Sequence, residues 1–572
     1  MLIKDDLSIV ICGEAGQGVQ TVEKLLTGIL KLSGYNVFAS KEYMSRVRGG
    51  SNSTQIRVAS GRVMSYIDRI DILIPLDKDA IPHLEKRVSP QTIIIGDKEK
   101  LGTDKKIIDV PFEKIALGFG KPIYANTVAA GIVLGLLGAG EDAVNGYLEK
   151  LFGKKGEEVV KNNIGAAAKG YEIGRETADK EKISIDIRKT PSAAGEMLIT
   201  GSEAVSLGAI AGGCNFISAY PMTPSTSVLT YLSQHASEFG IVAEQAEDEV
   251  AAINMSLGAW YAGARALVST AGGGFALMVE GLSLAGAIES PAVIIVGQRP
   301  APATGLPTRT EQGDLEFVLY SGHGEFPRAV FAPGTIEEAF YLAQKSFNLA
   351  DKYQVPVIIL VDQYLMDIYY NTTIERFKDL KVERFTTETA KDYKRYRITA
   401  DGISPRGIPG RGEGFVCADS DEHDESGRIT EDAGVRKAMV EKRLKKLEYL
   451  AKDAEPPVLA GKPDYKTLVV GWGSTFGVIK EALEKLGDAS VAHLHFSQVY
   501  PVHPETSDYL KKAKKLVIVE NNATSQFGKL LKLHTGIEIK NKILKYDGSP
   551  FSAEEIVDKL SKVASGPLTM DP

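Results

Sequence analysis

The stretch Ser218-Ala-Tyr-Pro-Met-Thr-Pro-Ser-Thr226 decides how the middle of this chain is read. It follows the apolar Asn215-Phe-Ile-Ser218 and so reads as the end of a strand. Pro221 and Pro224 each hold φ at about −65° and remove a backbone donor, which stiffens the turn around Met222 and Thr223. Thr223 is thereby presented on a rigid loop. Ser225, Thr226 and Ser227 are expected to cap a helix that begins around Val228. A hydroxyl beside a helix N-terminus suits an anionic ligand, although a proline-rich turn with an N-cap is written in the same letters.

Further features follow downstream. Glu244-Gln-Ala-Glu-Asp-Glu249 is expected to open a helix of small residues, and Ser269-Thr-Ala-Gly-Gly-Gly-Phe275 places three glycines, Gly272, Gly273 and Gly274, after an apolar run. Val293-Ile-Ile-Val-Gly-Gln-Arg299 then puts an arginine at the end of another such run, and Thr308-Arg-Thr-Glu-Gln-Gly-Asp314 follows. Residues 266–270, 292–296 and 355–361 have the continuous apolar character of parallel strands buried on both faces. Open sheets of this kind bind ligands outside the carboxyl ends of their strands, which is where Arg299 falls. Its planar fork suits a carboxylate, and an ordinary surface ion pair is the competing use. The acids Glu244, Glu247, Asp248 and Glu249 would equally serve a helix dipole as a solvated first turn.

At 572 residues the chain is long enough for three or four domains. Its 44% hydrophobic and 25% charged content is that of a globular protein. A net charge of −7 with no long basic stripe argues against nucleic acid as a partner. No apolar run is long enough to cross a membrane, and the N-terminus enters a strand without the regions of a signal peptide, so a cytoplasmic location is expected. The three cysteines, Cys12, Cys214 and Cys417, lie far apart, which leaves no run for an iron–sulfur cluster or zinc, and no metal ligand is assigned here. Cys12 and Cys214, in apolar strand-like contexts, are expected to be buried and inert.

The fold class is α/β and multidomain. Residues 1–176 read as one α/β unit, 177–193 as a linker, 194–370 as a parallel α/β domain, 371–460 as an irregular connecting segment and 461–572 as a last α/β domain. In the first unit Gly13-Glu-Ala-Gly16-Gln-Gly18 turns a strand into a helix. Its spacing is not the dinucleotide fingerprint Gly-x-Gly-x-x-Gly. Direct phosphate contact at the helix N-terminus and a tight structural turn both remain open for it. Arg48, beside Gly49 and Gly50, has the fork for a diphosphate or carboxylate, or is a surface arginine at a flexible turn.

The Tyr-Pro-x-Thr-Pro run at 220–224, the Gly-x-Arg-Pro at 297–300 and the Thr-Glu-Gln at 310–312 together resemble the 2-oxoacid:ferredoxin oxidoreductases. The chain is similar over nearly its whole length to an alpha subunit of the 2-oxoglutarate type with the gamma domain fused at its N-terminus. The resemblance implies a gamma domain at 1–176, a pyrimidine-binding domain of the thiamine-enzyme type at 194–370 and a transketolase C-terminal-like domain at 461–572, where Trp472 and Gly473 fall. It implies Glu249 as the catalytic carboxylate that activates the aminopyrimidine ring, with Glu247 as the fallback. Thr223, Arg299 and Thr308 would bind the substrate, and Gly13, Gly16, Gly18, Arg48, Gly272 and Gly273 would bind cofactor. Positioned acid–base groups of this kind supply about 10²–10⁴-fold in rate.

The same resemblance implies thiamine diphosphate shared with a partner beta subunit, Mg²⁺ and a [4Fe-4S] cluster in that partner, coenzyme A as co-substrate and ferredoxin as electron acceptor. The assembly would be an (alpha-beta)2 heterotetramer, and the isolated chain would be inactive. The diphosphate half of the cofactor site calls for Gly-Asp-Gly, which this chain lacks; Gly96-Asp-Lys98 with Asn126 downstream does not meet it. The activity implied is oxidative decarboxylation of a 2-oxoacid, most simply 2-oxoglutarate, to an acyl-CoA and CO2. Pyruvate, aryl or branched-chain acids, an NAD-dependent dehydrogenase and a non-catalytic scaffold stay open as alternatives. The acidic run at 419–425 is read as a structural or interface loop, and His493 and His495, which share a strand face, as packing residues.

Overall fold

The computed structural model describes residues 2–45, 49–375 and 379–565. The chain forms two compact units, one of residues 1–199, 367–373 and 552–554, the other of residues 200–366, 374–551 and 555–572.

The first unit is built on a mixed sheet that runs in the order Ile93–Gly96, Ile72–Pro75, Asp6–Glu14, Ser51–Ala59, Asn36–Glu42, Tyr369–Thr372 across its middle. Asp6–Glu14 pairs in parallel with Ile72–Pro75 but antiparallel with Ser51–Ala59. The helices Val19–Leu32, Ala125–Leu137 and Glu157–Lys180 supply apolar residues to its core. Gly131 and Gly135 let two of them approach: an added Cβ would lie 2.4 Å from the Ala167 carbonyl and 2.3 Å from that of Tyr171. The supposed linker at 177–193 is instead part of this unit. Helix Glu157–Lys180 continues into it, and Ser184–Asp186 pairs in parallel with Leu2–Lys4, so its polar composition marks exposed faces of regular elements.

The second unit holds a seven-stranded sheet in the order Val242–Gln245, Phe216–Ala219, Ala266–Ala271, Ala292–Gln298, Pro356–Asp362, Ala329–Phe331, Gln498–Tyr500. The first six are parallel, and the last is antiparallel. A five-stranded sheet around Thr467–Trp472 shares one apolar cluster with it, in which Ile294, Val296, Leu468, Trp472 and Phe496 all sit at or below 1% exposure. The boundary drawn at 461 therefore divides strands that lie over a common core.

Residues 371–460 are likewise less irregular than their composition reads. They contain Thr386–Thr389 paired with Arg406–Gly412 and the helix Ala433–Lys452. Three buried ionic contacts fasten this segment: Arg406 to Asp351, and Lys442 and Lys446 to Glu289 at 2.5 Å each. Glu289 has φ +48°, a conformation that favours glycine, and its carboxylate answers two lysines.

Candidate functional site

Within the second unit, sequence order reverses between Phe216–Ala219 and Ala266–Ala271: the chain moves from the first of these to one side, Val242–Gln245, and then to the other. The crevice outside the carboxyl ends of strands at such a point is where open α/β sheets take ligands. The turn after Phe216–Ala219 carries Thr223, the turn after Ala266–Ala271 carries the three glycines, and Ala292–Gln298 leads directly to Arg299.

Glu249 is the first residue of the helix Glu249–Tyr261, which Asp248 caps by accepting from the Ala251 N–H at 2.7 Å. The helix is held to its sheet by Ser218 Oγ donating to the Ala252 carbonyl at 2.7 Å and by the Trp260 indole donating to the Ala266 carbonyl at 2.9 Å. Glu244 is not part of it; that residue belongs to Val242–Gln245, whose pairing with Phe216–Ala219 claims it for the sheet. Glu249 is 3% exposed, and its Oε1 is buried without a hydrogen-bond partner among the described residues. Buried polar atoms are normally satisfied, so this one is open to a further group. Glu247 is exposed and lies before the capping Asp248, outside the helix.

The glycines differ in what they do. A Cβ on Gly274 would meet Thr270 Oγ1 at 2.1 Å and Glu249 Oε1 at 2.2 Å; a Cβ on Gly272 would meet the Asp314 carboxylate at 2.6 and 2.8 Å. A Cβ on Gly273 would have nothing nearer than the Ala303 carbonyl at 4.0 Å. Two carboxyl side chains thus flank a turn whose middle residue is open. Gly274, which the sequence reading left out of its cofactor set, is the one against which the Glu249 carboxylate packs.

Arg299 donates from Nη1 to the Thr223 carbonyl at 2.8 Å. The contact is to backbone, and the Thr223 hydroxyl is half-buried with no hydrogen-bond partner among the described residues. Burial lowers the Arg299 pKa, and the nearby Asp314 opposes that shift. Asp314 itself is pushed up to about 6 by burial, against the pull of Arg299. Glu311 rises to about 7, through burial and then through Asp314. Thr308 is half-buried and makes no hydrogen bond among the described residues; its neighbour Thr310 accepts from the Tyr364 N–H at 3.2 Å.

The expected capping at 225–227 does not occur. Helix Thr226–Gln234 begins two residues earlier than Val228, Ser225 Oγ donates to the Met222 carbonyl at 2.8 Å and Ser227 Oγ to the Pro224 carbonyl at 3.1 Å. These hydroxyls brace the proline turn and leave the helix N–H groups alone.

In the first unit, Gly13 and Gly18 serve packing. A Cβ on Gly13 would lie 2.5 Å from Gln17 Oε1, and one on Gly18, at φ +93°, would lie 1.9 Å from Asn126 Nδ2. Gly16 at φ +97° has no atom within 4 Å of that position, and it lines two cavities of about 320 and 340 Å³. Lys100 and Asn126 face the first, Lys41 and Asn52 the second. Arg48 lies outside the described residues. Cys12 and Cys214 are buried, which pushes both thiols up to about 12. No helix among the described residues is long and apolar enough to cross a membrane.

Comparison with known proteins gives the family. Residues 207–442 match the family described as "Pyruvate flavodoxin/ferredoxin oxidoreductase, thiamine diP-bdg", and residues 8–173 match "Pyruvate ferredoxin/flavodoxin oxidoreductase". A 2-oxoacid:ferredoxin oxidoreductase subunit alpha from Sulfolobus sp is 32% identical, over 97% of this chain and 97% of that one. The 2-oxoglutarate oxidoreductase subunit KorA of Mycobacterium tuberculosis is 28% identical over 96% of this chain and 90% of its own length. The solved 2-oxoglutarate:ferredoxin oxidoreductase from Magnetococcus marinus, with 2-oxoglutarate, coenzyme A and succinyl-CoA bound, superposes with a TM-score of 0.92 at 29% identity, covering 98% of this chain and 99% of that one. The chain belongs to the 2-oxoacid:ferredoxin oxidoreductases, a family of oxidoreductase enzymes, and corresponds to their alpha subunits.

Proposed function

We propose that this chain is the alpha subunit, gamma domain included, of an enzyme that oxidatively decarboxylates a 2-oxoacid to acyl-CoA and CO2 while reducing ferredoxin. The observation that carries this reading is the buried, unpartnered Glu249 Oε1 packed against Gly274, one residue from the open Gly273. That donor set fits the aminopyrimidine of thiamine diphosphate: a carboxyl for a ring nitrogen, and a glycine turn with no bulk over which a flat ring can lie. Bound there, thiamine diphosphate supplies a nucleophilic carbon and a sink for the electron pair released with CO2.

Glu249 holds a proton toward the ring and keeps water from that edge by its burial. Arg299 and Thr223 hold and orient the oxoacid carboxylate, a charge-assisted contact that contributes about 1.5–3 kcal/mol. Thr308 is assigned to the same carboxylate as a further hydroxyl. The diphosphate, Mg²⁺ and a [4Fe-4S] cluster belong to a beta subunit in an (alpha-beta)2 assembly, because neither a Gly-Asp-Gly nor a cysteine run is encoded here. Gly16 and the cavities beside it are assigned to coenzyme A, and Arg48 to its diphosphate. The acid is 2-oxoglutarate, supported by the substrates for which the M. tuberculosis and M. marinus relatives are named.

The test uses the complex co-purified from its source and assayed with a panel of 2-oxoacids and a viologen acceptor. Glu249→Gln is expected to lower turnover about 10²–10⁴-fold with the complex intact, and Glu247→Gln to leave it within twofold. Full turnover in Glu249→Gln would refute the assignment.

A further inference from the structure

Asp314 is a buried acid at this crevice with no task in the proposed reaction. It is 7% exposed, and its side chain has no hydrogen-bond partner among the described residues. Its two oxygens pack against the Cα of Gly272, a contact that only glycine allows there. It stands in the field of Arg299, and among the described residues the two form no direct ion pair and Arg299 uses one donor, on the Thr223 carbonyl.

The backbone around Asp314 cannot carry it away. The Gln312 N–H donates to the Asn521 carbonyl at 2.7 Å, the Asn521 N–H to Gln312 Oε1 at 2.9 Å, and Gln312 Nε2 to the Trp472 carbonyl at 2.9 Å. Gln526 Nε2 donates to the Gly313 carbonyl at 2.7 Å, and the Asp314 N–H to Gln298 Oε1 at 3.1 Å. A second anion arriving at Arg299 therefore meets a fixed carboxylate of like charge in a poorly hydrated place. Such a carboxylate responds by taking up a proton.

We propose that Asp314 is the proton-linked counter-charge of Arg299: its carboxylate balances the guanidinium in the empty site, and when the oxoacid carboxylate takes over that role Asp314 binds one proton from solvent. Asp314 is on this account a positioning residue. The inference rests on the reading of Arg299 as the oxoacid anchor. Charge balances at Arg299, where one carboxylate arrives with one proton. The groups facing Asp314 are Arg299 from the end of Ala292–Gln298, the neutral Gln298, the glycine turn, and Glu311 on its own loop. Its carboxyl, already up at about 6 through burial, is ionised in the empty site at neutral pH and close enough to titration to respond. Glu311, raised to about 7 by burial and then by Asp314, is the other acid near titration here, so the experiment must separate the two.

The assembled enzyme, loaded with thiamine diphosphate, is titrated calorimetrically with N-oxalylglycine and with oxamate, two unreactive mimics, in phosphate and in Tris from pH 5.5 to 8. The proposal expects uptake approaching one proton per site at pH 7, and an affinity that is full below about pH 6 and weakens about tenfold per pH unit above it. Glu311→Gln should keep that uptake, Asp314→Asn should abolish it and flatten the pH dependence, and Asp314→Glu should restore it. No uptake in the unaltered enzyme, unchanged uptake in Asp314→Asn, or loss of uptake in Glu311→Gln overturns the proposal. If Asp314→Asn does not assemble, the unaltered enzyme and Glu311→Gln decide alone. Unweakened binding of both mimics to Arg299→Ala would instead overturn the anchor reading beneath it.

Discussion

Replacing Gly274 by alanine sets a methyl carbon 2.1 Å from Thr270 Oγ1 and 2.2 Å from Glu249 Oε1, with Glu249 Cδ at 2.8 Å. A contact near 2 Å cannot be held, so the side chains must retreat by about an ångström. Thr270 sits on a strand buried along its whole length and is fully buried itself, which leaves the Glu249 carboxylate as the part that moves. Overpacking costs about 1–3 kcal/mol, while alanine in a helical turn returns about 1 kcal/mol relative to glycine. The net change in stability is therefore small, about 0–2 kcal/mol. The effect on turnover is not small, since a misplacement of about 1 Å costs about 10²-fold. Gly273→Ala is the matched control: it gains the same helical preference and meets no atom nearer than 4.0 Å. It should keep or raise the thermal midpoint while weakening retention of thiamine diphosphate, because the methyl would stand where the proposed site takes the ring. The assay is viologen reduction by the assembled enzyme with saturating oxoacid and coenzyme A, alongside scanning calorimetry and cofactor content. Gly274→Ala retaining at least half of the normal turnover at an unchanged midpoint would refute the reasoning about Glu249.

Two further outcomes test the structure away from the crevice. Glu289→Gln strands Lys442 and Lys446 without their buried carboxylate and should destabilise the second unit by about 3–5 kcal/mol in denaturant titration; a loss under about 1 kcal/mol would show the lysines to be solvated. At pH 8 the Cys12 and Cys214 thiols, raised by burial, stay protonated and should escape iodoacetamide in the native protein, while Cys417, half-buried, serves as the internal comparison by mass spectrometry.

Parts of the site were legible because they sit at the ends of apolar runs. Arg299 after residues 292–298 and the glycines after 266–271 could be placed at strand ends from hydrophobic pattern alone. The choice between Glu247 and Glu249 could not, since both lie in one acidic run and only burial separates them. The serines at 225–227 misled, because a hydroxyl near a helix start can turn back to a preceding carbonyl as readily as forward to an N–H, and the proline turn offered carbonyls at that spacing. Polar composition misled at 177–193 and 371–460 for a related reason: strands and helices with one solvated face read as loops when their apolar partners are distant in sequence.

The sequence by itself determined the alternation of buried strands and helices, the family and the identity of the groups offered to a ligand, since these depend on local pattern and residue chemistry. The tertiary structure alone decided which carboxylate is sealed from water, which glycine it leans on and why Asp314 is held beside Arg299. The last depends on Trp472, Asn521 and Gln526 closing over residues 312–314 from 160 to 213 positions away. Burial and electrostatic coupling are properties of distance in space, and no spacing along the chain records them.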